Sequence, residues 1–209
     1  LYFFRWGAAW TWATGLVLLY VVYWHGSLSM GESVGNLMFD AGTNVTGLTH
    51  LMILITFVSV FAYDYLYNSG LIKDVRVMTI VTFILIAGII YLMKFYGGFS
   101  YRAFNIHLGA LFGTNMAFNV WFRIWPAQQS IITSIKNGEA PDGNLAALAG
   151  LRSKHNTYMS VPLIWTMMNQ HTTVFAGGNF GVTESTNWLV LLIMIALGWH
   201  LVFQLYKKS

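Results

Sequence analysis

The sequence predicts an all-α fold, a polytopic transmembrane helix bundle with six helices in this chain. Of its 209 residues, 56% are hydrophobic and 9% charged, against roughly 25% charged in an ordinary soluble domain. The mean hydropathy is +0.59. Six stretches also approach the ~20 largely apolar residues that a helix needs to cross the hydrocarbon core.

Taken in order, the candidate spans are Leu1 to Trp24, Thr46 to Tyr67, Val75 to Phe95, Tyr101 to Ile124, His155 to Phe175 and Asn187 to Tyr206. The first is too long for a signal peptide and has no small-residue cleavage site. Because it opens at once in an apolar run without an initiator Met, further residues are expected upstream. Gly26 to Val45 is rich in Gly and polar residues and reads as a loop with a short surface helix. Between the fourth and fifth spans, Ala127 to Lys136 reads as an amphipathic surface helix and NGEAPDG as a turn. Asn144 to Lys154 then leads into the fifth span. No internal repeat, low-complexity segment or second domain is evident, so residues 1–209 read as one integral membrane domain.

Charge gives the orientation. Nine of the eleven Lys and Arg residues fall on the side where the first span begins, leaving Lys94 and Arg102 on the other. Cytoplasmic loops carry the excess of Lys and Arg, so that side is expected to face the cytoplasm of a bacterial inner membrane, with both ends of the chain inside. The pI near 9.3 then reports topology rather than a nucleic-acid partner. The chain contains no cysteine, which excludes thiolate-held iron–sulfur clusters, c-type haem attachment and a cysteine nucleophile within it.

The fourth span, YRAFNIHLGALFGTNMAFNVWFRIWP, is the most informative. Polar side chains are costly in a membrane helix and usually face a protein interior or a functional cavity, yet this one carries Asn105, His107, Asn115, Asn119 and Arg123. His25, His50, His107 and His171 all belong to the expected outer leaflet. At ~1.5 Å per residue the last three lie within roughly 10 Å of one level. Histidines on facing helices can hold a b-type haem by its axial positions, with His107 and His171 as the leading pair and His50 as the alternative. The competing reading is interfacial histidines satisfied by water and headgroups. His155 reads as a polar end residue, whereas Asp64 and His200 raise the idea of an intramembrane proton path. Gly109 and Gly113 form a GxxxG that permits close helix packing, and Pro162 is expected to kink the fifth span.

Two long motifs, GTNMAFNVWFRIWPAQQ at Gly113 to Gln129 and RSKHNTYMSVPLIWTMMNQH at Arg152 to His171, resemble the membrane domain of the bacterial membrane-bound urate hydroxylases, the urate oxidase N-terminal family. FFRWGAAWTWATG, Phe3 to Gly15, is similar to that family's second membrane helix. The resemblance implies a membrane oxidoreductase that converts urate to 5-hydroxyisourate and passes electrons to a cytochrome c. That cytochrome is a fused C-terminal domain in the family, whereas this sequence reaches Ser209 without a C-x-x-C-H segment. A separate periplasmic cytochrome c is the other possibility.

For a flat, anionic substrate, Asn119, Arg123 and Asn156 are the candidate site residues, with Asn115 and Asn169 as further donors and acceptors between the fourth and fifth spans. Hydrogen bonding between helices is the plainer reading of each Asn taken alone. The alternative for the whole chain is a cofactor-free structural subunit anchoring a larger membrane complex, with other membrane subunits as its partners. A transporter fits less well, because neither repeat symmetry nor paired broken helices are present.

Overall fold

A computed structural model describes residues 2–25, 37–40, 43, 45–172, 174–177 and 179–208. Most of the expected surface helix within Gly26 to Val45 lies outside the described residues. The six expected spans correspond to helices, the fifth ending at His171 and not at Phe175. Helix α1 covers Tyr2–Leu19 and ends in a π-helical turn at Tyr20–Trp24; α2 covers Gly47–Asn68, and α3 Val75–Phe95. Helix α4 runs over Tyr101–Phe118, passes into a π-helical segment at Asn119–Ile124 and continues as α5, Trp125–Lys136. Helix α6, Gly143–Met168, is finished by a 3₁₀ turn at Asn169–His171, and α7 covers Asn187–Lys208.

The helices begin where side chains satisfy their first backbone donors. Thr46 and Thr49 form a reciprocal capping box at α2. Asp74, Ser100 and Asp142 cap α3, α4 and α6 through their side-chain oxygens. The surface helix expected from Ala127 starts two residues earlier, because the chain never leaves helical geometry between α4 and α5. Helix α6 runs through Pro162.

Among the described residues, four helices are long and apolar enough to cross a membrane: Tyr2–Trp24, Gly47–Asn68, Val75–Phe95 and Asn187–Lys208. Helices α4 and α6 are not in that group, and packing explains why. Their polar residues face protein: Asn105, His107, Thr114 and Asn115 on α4 and Asn119 in the π-helical segment that continues it, with Arg152 and Thr166 on α6, are buried. Large apolar side chains on α1, α2, α3 and α7, among them Phe3, Trp10, Phe61, Ile84 and Phe203, are exposed, as lipid-facing surfaces require. The chain is therefore a bundle of apolar helices around a polar central pair.

That central pair packs closely through small residues. Gly109 faces Thr166, and a methyl group on Gly113 would meet Leu163 at 3.5 Å, so the expected GxxxG is the contact face of α4 on α6. Gly198 performs the same task for α7, where a Cβ would meet Val161 at 3.1 Å and Pro162 at 3.3 Å. Helix α1 is tied on by Trp12 Nε1 donating to Thr114 Oγ1 at 3.0 Å and Trp121 Nε1 donating to the Arg5 carbonyl at 3.1 Å. At the expected outer end, an isolated antiparallel bridge joins Phe39 to Phe99. Lys94 pairs with Asp40 at 3.0 Å, which pins that segment to the end of α3.

Candidate functional site

Two polar layers emerge, one near each end of the bundle. In the layer at the expected inner end, Asp64 on α2 is the hub. Its Oδ1 accepts from Arg123 Nε at 2.9 Å, Arg152 Nη2 at 2.8 Å and Asn68 Nδ2 at 3.0 Å. Its Oδ2 accepts from Arg123 Nη2. Arg152 Nη2 also donates to Asn68 Oδ1 at 2.7 Å. Two guanidinium groups thus share one carboxylate, two cations to one anion.

The sequence candidates Asn119 and Asn156 join it. Asn119 Nδ2 donates to Asn156 Oδ1 at 2.8 Å and to Tyr63 Oη at 2.9 Å. Asn156 Nδ2 donates to the Met116 carbonyl at 3.2 Å. Tyr63 Oη lies 2.8 Å from His155 Nδ1. The Arg152 guanidinium stands 5.2 Å over the Tyr63 ring, within cation–π range. Several buried atoms have no protein partner: Nε and Nη1 of Arg152 and Oδ1 of both Asn115 and Asn119. Buried polar atoms are normally paired, so the Arg152 donors and the Asn119 acceptor are the open groups of this cluster.

Local geometry explains how these groups meet. Asn119 and Arg123 belong to the π-helical segment, whose wider turn is uncommon and concentrates at functional positions. On the same segment, Trp121 and on α5 Trp125 sandwich Arg5 of α1, with its guanidinium carbon 4.6 Å and 4.4 Å from their ring centroids. Arg152, His155 and Asn156 lie three and four residues apart, so one face of α6 presents all three. Asp64 with Asn68, and Tyr63 with Tyr67, repeat that spacing on α2.

The layer at the expected outer end is arranged differently. His107 is fully buried; its Nδ1 donates to the Ala103 carbonyl at 2.7 Å, and its Nε2 accepts from Trp24 Nε1 at 2.9 Å. Phe99 and Tyr23 pack against the same ring. His171 is exposed at the end of the 3₁₀ turn, and His50 is exposed with Nδ1 3.1 Å from the Thr46 carbonyl. His50 and Trp24 border an apolar groove of about 360 Å³ that also includes Trp12, Leu16 and Phe57. Iron at His107 Nε2 would have to displace the Trp24 indole, so these residues as arranged do not fit a haem held between His107 and His171. Among the described residues, no group of three or more His, Asp or Glu could hold a metal ion.

Asn169 belongs to this outer layer, donating to Tyr101 Oη at 2.8 Å and Asn105 Oδ1 at 3.1 Å. It is therefore separate from Asn119 and Asn156. Asp64 and His200 do not form a pair: His200 is exposed beside Gln204 at 3.2 Å, while Asp64 is held by the two arginines. Arg152, Asp64, Tyr63 and His155 are the members of the inner cluster that the sequence reading did not assign to the substrate. The helical spacing on α6 and α2 was the available signal.

No curated protein and no solved structure matches the chain. Residues 1–208 match the family described as Urate oxidase N-terminal, and the match includes both motifs that supply Asn119, Arg123, Arg152 and Asn156. The chain therefore belongs to the urate oxidase N-terminal family.

Proposed function

We propose that this chain is the catalytic membrane domain of a urate-oxidising oxidoreductase and that the inner cluster receives the urate monoanion. The observation that carries the proposal is one carboxylate shared by two arginines, buried Arg152 and partly exposed Arg123, with open hydrogen-bonding atoms at Arg152 and Asn119. A charge removed from water is costly unless fully paired, and a monoanion would complete the pairing of Arg152. Urate offers carbonyl oxygens and N–H groups around a planar edge. These complement guanidinium donors on Arg152 and the amide oxygen of Asn119.

In this reading Arg152 supplies the charge, Asn119 and Asn156 orient the ring, and Arg123 holds Asp64 at the open side of the cluster. The Arg123 side chain is 33% exposed, against 1% for Arg152. Electrons leave to a cytochrome c, fused or separate, and the cluster opens towards the cytoplasm. No step passes through a haem on this chain.

The test is urate binding by equilibrium dialysis, together with urate-dependent reduction of oxidised cytochrome c, using detergent-solubilised protein. Arg152→Met removes charge-assisted hydrogen bonds worth ~1.5–3 kcal/mol, which corresponds to roughly 10- to 150-fold weaker binding. Asn119→Ala, which leaves the ion pairs in place, should weaken binding without loss of the fold. Wild-type protein that neither binds nor oxidises urate would refute the proposal.

A further inference from the structure

We infer that Tyr63 and His155 form a proton relay that leads from the Asn119 and Arg152 cluster to the edge of the bundle at the middle of α6. The inference rests on the urate reading and adds to it the route by which the reaction's proton leaves. Oxidation of a urate monoanion to neutral 5-hydroxyisourate adds one water. The water oxygen forms a bond to C5, two electrons pass to oxidised cytochrome c in one-electron steps, and one water proton is released while the other stays on the new hydroxyl. The Arg152 guanidinium has no acceptor atom, so that proton needs another group to take it from the site.

The geometry supplies one. Tyr63 Oη accepts from Asn119 Nδ2 at 2.9 Å and lies 2.8 Å from His155 Nδ1. A phenol oxygen can accept two hydrogen bonds and donate one, so the same contact exists with the proton on Tyr63 or on His155. These are the two ends of a transfer. As Tyr63 takes the proton from the attacking water, its own passes to His155 Nδ1, and His155 releases its Nε2 proton to water.

The surroundings suit a fixed path. The Tyr67 ring packs against the His155 ring with centroids 4.5 Å apart, and the Tyr67 hydroxyl is held by Thr82 at 3.0 Å. Tyr67 therefore orients His155. The charged groups beside the relay are Arg152 and Lys154 on α6 and Asp64 on α2, the last already bonded to both arginines. His155 is half-buried, whereas the adjacent Ser153 and Lys154 are exposed, so the relay begins among buried groups and ends at the edge of the bundle.

The test uses the full chain in detergent with urate and oxidised cytochrome c. Tyr63→Phe keeps the ring under Arg152 and removes only the hydroxyl, while His155→Ala opens a space that added imidazole can fill. Urate binding should stay within about twofold in both variants. Turnover should fall ~100-fold or more, the scale of general acid–base contributions. Imidazole should restore His155→Ala but not Tyr63→Phe.

Wild-type turnover in both variants, without response to imidazole, would overturn the relay and leave the urate proposal standing. Loss of urate binding in Tyr63→Phe and in the milder His155→Gln would assign these residues to recognition and overturn the relay as well. Failure of the wild-type protein to bind or oxidise urate overturns the urate proposal and the relay together.

Discussion

Asp64 sets the charge of the inner cluster, so its loss should be felt more than that of any surface acid. Breaking a buried ion pair by removing one partner costs ~3–5 kcal/mol, because the other charge is left uncompensated. Asp64→Asn leaves Arg152 in that position, and thermal unfolding in detergent should show destabilisation of this order. Adding Arg152→Met should recover part of it by removing the orphaned cation. A double variant no more stable than the single one would show that Arg152 does not depend on Asp64.

The outer layer makes a smaller, separate prediction. Trp24→Phe leaves His107 Nε2 buried and unpaired, which should cost about 1–3 kcal/mol without changing urate binding. At the residue scale, the sequence made the polar positions of the fourth span conspicuous. The partnership of Asp64 with Arg152 spans 88 positions of chain; no local pattern announces such a contact. His155 looked like a polar end residue because its neighbour Lys154 is one.

At the scale of elements, the π-helical segment Asn119–Ile124 decides whether Asn119 and Arg123 meet partners on α2 and α6. A single π turn is a local departure within an otherwise α-helical run, and each residue advances an α-helix by about 100°. Deleting Val120, which lies between the two site residues, should turn one relative to the other by roughly that angle. Urate binding should disappear while the far-ultraviolet circular dichroism stays that of a helical protein. Binding retained after the deletion would mean that the segment merely adjusts the path into α5. Hydropathy and length were enough to predict the helices themselves. They do not distinguish an α from a π turn, which is why Asn119 and Arg123 were visible as a pair but their orientation was not.

For the molecule as a whole, the contrast between apolar outer helices and the polar central pair follows from the solvent. Side chains against lipid must be apolar, and polar ones are admitted where protein surrounds them. Direction across the membrane is a further matter, and it governs where the proposed relay delivers its proton. With nine of eleven Lys and Arg residues on one side, the start of α6 should face the cytoplasm, and so should the His155 end of the relay.

The absence of cysteine from residues 1–209 makes this directly measurable, because a thiol introduced there is the only one in this membrane domain. Glu139 in the turn before α6 and Ser185 in the segment before α7 are both exposed. In intact spheroplasts, Ser185→Cys should react with a membrane-impermeant maleimide, and Glu139→Cys should react only after the membrane is opened. The opposite pattern would invert the bundle and send the proton outward, so that turnover would build a proton gradient instead of returning protons to the cytoplasm.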